Sequence, residues 1–207
     1  MYNPRSFKVE DLSQLHALIR EFNFGIVISH SAGTSVATHL PFMIDSKRGA
    51  NGTLVAHMAR ANPHWKTWTE ETELMVIFQG PHSYISPAWY REQATVPTWN
   101  YATVHAYGRP LLIHEPEKLR PMVAALVELH EEQIGRPWDV SQMEGMLETE
   151  LKAIVGFEIP IERLQGKFKF NQNLSVEDQR AVVSALEELG NSNFRAVAAI
   201  MKKNLRN

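Results

Sequence analysis

The stretch from His57 to His105 concentrates side chains able to hold a ligand. It reads HMARANPHWKTW, then FQGPHSYISPAWY, then VPTWNYATVH, and holds four of the five Trp, three of the five Tyr and four of the nine His. Such residues carry polar tips that need partners once buried. Pro63, Pro81, Pro87 and Pro97 stiffen the loops between them. The combination predicts a preformed surface for something flat and polar-edged. In His57–Pro63, Arg60 offers a fork of donors suited to a phosphate. Asn62 either donates to a ligand or caps the turn that Pro63 starts, and the plainer reading pairs Arg60 with a surface acid. In Pro97–Tyr101, Trp99 offers a stacking face and Asn100 a bidentate amide; the plainer reading packs the Trp on a barrel end. In Ser83–Tyr90, Tyr84 and Ser86 reach for phosphate oxygens, or the segment covers the barrel or meets a second subunit.

A second pattern lies at Gly166-Lys-Phe-Lys-Phe-Asn-Gln-Asn173. Lys167 and Lys169 share one face of a strand, Phe168 and Phe170 the other. The lysines either meet an anion or protect an edge strand from pairing with another chain. His39, His57, His64, His82 and His105 raise a metal or haem reading, but none sits at a diagnostic spacing. No dinucleotide glycine motif, phosphate loop, nucleophile elbow or paired-histidine zinc motif is present. Cysteine is absent, which excludes disulfides, a thiolate nucleophile and cysteine-bound zinc.

The elements that must position these residues follow from periodicity. Asp11 caps a helix carrying Leu12, Leu15, Ile19 and Phe22. Phe24–His30 reads as a strand, residues 31–34 as a turn, and the even positions Val36 to Ile44 as a half-buried strand with His39 facing away. Thr53–Ala59 follows, and a hairpin of these two strands puts His39 and His57 on one outer face. Glu73–Gln79 is a strand ending at Gly80-Pro81, and residues 81–98 a long loop. Trp99–Tyr107 alternates again, extended by Pro110–His114. Helices are expected over Glu117–Ile134 and about Met143–Ala153, strands over Ile154–Leu164 and Gly166–Phe170. Ser175 caps a helix to about Leu189, and a last helix carries Val197, Ile200 and Met201. Successive strands with helices at both ends predict a small β-barrel with α decoration, an α+β fold. The final pair has the outline of a helix-turn-helix, but Asn193–Lys203 carries few donors for a recognition helix.

Composition is that of an ordinary globular protein: 207 residues, 44% hydrophobic, 21% charged, net charge −2. Such a charge gives no global pull toward nucleic acid or anionic membrane. Residues 115–158 hold ten acids against four bases, residues 160–207 five against eight. The opening MYNPRSFKVEDL lacks a signal peptide's apolar core, and no stretch reaches the roughly 20 apolar residues of a spanning helix. A cytoplasmic protein is expected.

Seven motifs in order then carry a family resemblance: MYNPRSF at the start, ATHLPF at 37–42, HMARANPHW at 57–65, FQGPHSYISPAWY at 78–90, VPTWNYATVHAYG at 96–108, AIVGFEI at 153–159 and GKFKFNQN at 166–173. From residue 1 to about 190 the chain resembles the PaiB family, described as FMN-binding negative transcriptional regulators. The resemblance implies a split β-barrel of the pyridoxamine-phosphate-oxidase-like kind across 1–207, with a helical appendage from about 174. It implies a homodimer holding FMN in a groove at the subunit interface, and repression of sporulation and degradative-enzyme genes. Arg60, Lys167 and Lys169 would then supply charge for the phosphate. Trp65, Trp99 and Tyr101 would wall the ring; His57, Asn62 and Asn100 would meet its polar edge. The alternatives are a flavin-dependent oxidoreductase acting on a small molecule, or a haem-binding relative. Direct DNA binding draws little support from the charge.

Overall fold

The alternation of Phe24–Ser31 (β2) places Val27 and Ser29 inward, and a tight turn returns the chain as Thr34–Pro41 (β3). These strands pair antiparallel throughout, from Phe24 opposite Pro41 to Ser31 opposite Thr34. The computed structural model describes residues 1–31, 33–91, 96–135 and 144–205. Ala32 of the expected turn, 92–95 of the expected loop and Met143 of the expected helix lie outside these residues.

The chain divides into two compact units. One comprises Met1–Phe22, Phe78–His105 and Gln165–Asn207, the other Asn23–Ile77 and Ala106–Leu164. In the second unit, Met43–Asp45 (β4), Thr53–Ala59 (β5), Ile154–Pro160 (β9) and Leu111–Ile113 (β8) form a sheet in the order β4, β5, β9, β8. Its β2 pairs with β3 on one side and, on the other, with the start of Leu74–Ile85 (β6), Val27 opposite Val76. Phe42, Phe157 and Trp68 are buried and meet edge to face, Phe42 to Phe157 at 6.2 Å and Trp68 to Phe157 at 5.0 Å. Helices Pro116–Ile134 (α2) and Glu144–Lys152 (α3) add Leu119, Met122, Leu147 and Leu151 to the core.

In the first unit the strand order is Lys8–Val9 (β1), Arg163–Lys169 (β10), Thr98–Gly108 (β7), then β6. Leu12–Glu21 (α1) lies on one side. Asp11 caps it by accepting the Ser13 N–H at 2.8 Å, as its sequence predicts. Gly166 lets α1 approach, since a Cβ there would stand 2.1 Å from Leu15 Cδ2. Val176–Leu189 (α4) and Ser192–Asn204 (α5) belong to this unit and bury Val182, Leu186, Val197 and Met201.

Several expectations shift. The single strand over 36–44 is two, because Phe42 turns inward and its N–H bonds to Asn23 O at 2.9 Å; β3 stays with β2 while β4 joins another sheet. The expected hairpin with β5 therefore forms only through β4, Ile44 opposite Leu54, and His39 stays with β2. His39 is exposed and stacks near Phe24, whereas His57 sits opposite Gly156 on β9. The loop expected from residue 81 is strand as far as Ile85, followed by a short 3-10 helix over Pro87–Trp89. Gly80 and Pro81 are both buried between exposed Gln79 and half-buried His82, so alternation slips by one residue. Proline fits within a strand where the ladder is broken in this way. β10 is flanked on both sides, so its lysines do not protect an open edge.

Candidate cofactor-binding face

The candidate residues fall into two groups, one in each unit. His57, Arg60, Asn62 and Trp65 belong to the second. Arg60 Nε donates to the Lys152 carbonyl at 2.9 Å, and its Nη1 lies 3.4 Å from His114 Nδ1. The surface acid expected for Arg60 is not its partner among the described residues. Asn62 Oδ1 accepts the His64 N–H at 3.0 Å, while its Nδ2 donates to Thr38 Oγ1. Trp65 Nε1 donates to the Arg60 carbonyl at 3.1 Å. This segment therefore folds onto itself around His64, whose side chain is 1% exposed. His64 Nε2 meets Ser29 Oγ and Nδ1 meets Thr38 Oγ1, both at 2.8 Å. Burial pushes its pKa down, because the charged imidazolium loses solvation. Burial lowers His57 likewise, and its buried Nδ1 makes no hydrogen bond among the described residues. His57 shares a face with its partner Gly156, where a Cβ would clash with Leu119 and Met122. That face lies under α2.

The group in the first unit is open. Odd positions of β7 project Trp99, Tyr101 and Thr103 outward, while Asn100, Ala102 and Val104 are buried. With Gln79 and His82 of β6 they line a shallow cavity of about 400 Å³. Trp99 is 53% exposed, with the His82 ring 6.2 Å away at a shallow tilt and the Tyr84 ring 6.1 Å away on edge. Beside them on β10, Lys167 is 8% exposed, yet no carboxylate pairs with it among the described residues. Its Nζ lies 5.4 Å from the Tyr101 ring and 5.3 Å from the Tyr2 ring, and donates to the Tyr2 carbonyl at 3.2 Å. Lys169 bonds Thr98 Oγ1 and lies 5.8 Å from the Phe7 ring. As the sequence predicts, Phe168 and Phe170 take the other side of the strand.

Asn100 requires a correction. It is fully buried on the inward side, its Nδ2 directed at Met201 Sδ of α5 at 3.4 Å. Alternation that presents Trp99 and Tyr101 to solvent necessarily turns the intervening amide away, so Asn100 offers nothing to a ligand on this face. Gln79 and Thr103 escaped the sequence reading. Thr103 was legible as the next odd position of β7; Gln79 and His82 required knowing that β6 continues through Pro81.

A cavity lined by a Trp, a Tyr and an imidazole, with a lysine near that Tyr that no described carboxylate pairs, suits a planar anion. The observed fold class is an α+β split β-barrel. The same fold occurs in the FAD and heme binding protein from Mycobacterium smegmatis, with TM-score 0.60 and 16% identity over 84% of this chain and 78% of that one. The flavocytochrome Anf3 from Azotobacter vinelandii gives 0.57 and 18% over 84% and 75%. Residues 1–163 match the family described as "Putative FMN-binding domain", and the chain belongs to that family. It is 36% identical over 208 residues to "Protease synthase and sporulation protein PAI 2" of Bacillus subtilis, across 100% of this chain and 99% of the relative. This is the PaiB relationship its motifs indicate. It is also 31% identical to the uncharacterized protein AN0679 of Emericella nidulans, across 93% and 92%.

Proposed function

We propose that this chain is a PaiB-type regulatory protein that binds FMN on the exposed β6–β7–β10 face of its first unit and acts as a homodimer. The carrying observation is Lys167, a residue 8% exposed whose Nζ meets, among the described residues, one carbonyl and two aromatic rings and no carboxylate. A buried charge without a counter-charge is unfavourable, and a phosphate monoester supplies the missing charge. Trp99 and Tyr101 fit the ring, Lys167 and Lys169 the phosphate, and Gln79 and His82 the polar edge. Bound FMN would supply an electron-accepting ring, and these side chains would position it. Arg60, Asn62 and Trp65 contribute by holding the segment around His64. Exposed Trp99 and Tyr84 form an aromatic patch of the kind a second subunit covers. The regulatory part of the reading draws on the sporulation protein to which the chain is similar over its full length.

The test is to purify the protein, release what co-purifies and record its spectrum, then titrate apoprotein with FMN while following flavin fluorescence. Saturable binding that weakens on replacing Trp99 supports the reading. No flavin in the preparation and no binding on titration would overturn it. Turnover of NADH or NADPH in the presence of FMN would move the assignment to an oxidoreductase.

A further inference from the structure

The opening MYNPRSF belongs to the first unit. It runs beside the face just described and is pinned to β10 by polar contacts. Asn3 Nδ2 donates to the Gly166 carbonyl at 2.7 Å, the Met1 nitrogen to Gln165 Oε1 at 3.0 Å, and the Tyr2 carbonyl accepts from Lys167. Only then does β1 pair with β10, Lys8 opposite Lys167 and Val9 opposite Gly166. None of residues 1–9 is buried, and Tyr2 is 84% exposed. A segment held by few contacts and no buried apolar side chain has a low opening free energy.

One of those contacts lies at the atom the phosphate needs. The Tyr2 carbonyl stands 3.2 Å from Lys167 Nζ, the Tyr2 ring 5.3 Å and the Tyr101 ring 5.4 Å. A carbonyl is a neutral acceptor. A phosphate oxygen makes a charge-assisted bond to the same ammonium, roughly twice as strong. We propose that residues 1–7 form a strap that a phosphate-bearing ligand displaces from Lys167, so that loading of the face is reported as release of the N-terminal segment. The proposal rests on the reading of this face as an FMN site. It provides a way for occupancy to change a surface available to a partner, which a regulator requires and bare ligand storage does not.

Arg5, exposed in the short 3-10 helix Arg5–Phe7, supplies the readout. Trypsin cleavage of the Arg5–Ser6 bond in the intact protein would be timed by mass spectrometry, with FMN, with riboflavin and without ligand. A fluorescence titration on the same samples reports binding separately. FMN should accelerate the cut several-fold. Riboflavin, which carries the ring without the phosphate, should leave the rate unchanged. Lys167→Met should cleave fast with or without FMN. Asn3→Ala, a milder change, should raise the basal rate and keep the response. FMN that binds on titration but leaves the wild-type rate unchanged, or slows it, overturns the strap while sparing the flavin site. So does Lys167→Met with an unchanged basal rate. No flavin binding in the titration overturns the site reading, and the strap falls with it.

Discussion

The segment His57–Trp65 and the face built from Trp99, Tyr101 and Lys167 are made of the same kinds of residue: an indole, cations, imidazoles, amides. In the first, the polar tips close on one another. Asn62 takes the His64 N–H, Trp65 takes the Arg60 carbonyl, Arg60 takes the Lys152 carbonyl, and His64 is bonded at both ring nitrogens. In the second, Trp99 is half exposed and Lys167 is buried against a neutral carbonyl. Residue type marks where chemistry could occur; the partners each group already has decide where it can. A satisfied network holds the fold, while a charged group with an incomplete set of partners is available to a ligand.

The sharpest break with this contrast would come from His64. Its replacement by Ala leaves the Ser29 and Thr38 hydroxyls facing a void, and should cost about 2–4 kcal/mol of folding stability by the usual cavity and lost-hydrogen-bond penalties. Denaturant unfolding measures it, and FMN affinity at a temperature where the variant is folded should stay near wild type. A stable variant that loses flavin would exchange the roles of the two regions. On the other side, Trp99→Ala should weaken FMN by about 1–3 kcal/mol, as expected for loss of an aromatic stacking surface, with stability changed by about 0.5 kcal/mol or less. Fluorescence titration and unfolding on one preparation separate these effects.

Arg60→Ala sharpens the comparison. Loss of its bond to the Lys152 carbonyl should cost about 1 kcal/mol of stability and leave flavin affinity within about twofold, equivalent to about 0.4 kcal/mol. A large drop in affinity for FMN but not riboflavin would return Arg60 to the phosphate. The last expected effect, spread over the acid range, is on stability. Burial lowers the pKa of His57 and His64 from the ordinary 6.5. The unfolded chain therefore takes up protons there before the folded one does. Stability is fully present above pH about 6.5 and declines as pH falls toward the folded values, by at most about 1.4 kcal/mol per pH unit for each histidine. His57→Phe should flatten that decline, because it removes one of three histidines whose pKa burial lowers, His105 being the third; an unchanged slope in unfolding at pH 5 to 7 would show that His57 does not contribute.

Much of the site was legible for a simple reason. The odd positions of β7 and the odd positions of β10 follow from strand period, so Trp99 and Tyr101 could be placed together on one side of their strand, and Lys167 and Lys169 together on one side of theirs, from the string of residues. Asn100 follows the same rule to the buried side, against what its place in the Trp99–Tyr101 motif suggests. Gln79 and His82 were hidden by Gly80-Pro81, which read as the end of a strand and proved to be a slip inside one. Tyr2 was visible only as part of a motif, since nothing local indicates that its carbonyl reaches a lysine 165 positions away.

Local chemistry alone determined the helix caps at Asp11 and Ser175, the alternation of β7 and β10, the absence of thiol chemistry and the family. Those features depend on neighbours a few residues apart, and short-range sterics and hydrogen bonding do not need the rest of the chain. Tertiary structure decided which polar groups were satisfied. The sequence holds donors and acceptors in abundance, but whether Arg60 meets a carbonyl or a phosphate, and whether Lys167 meets a carboxylate or none, depends on contacts about 90 to 165 residues apart. Such pairings are selected by packing of the whole core, and the unpaired remainder is the candidate face.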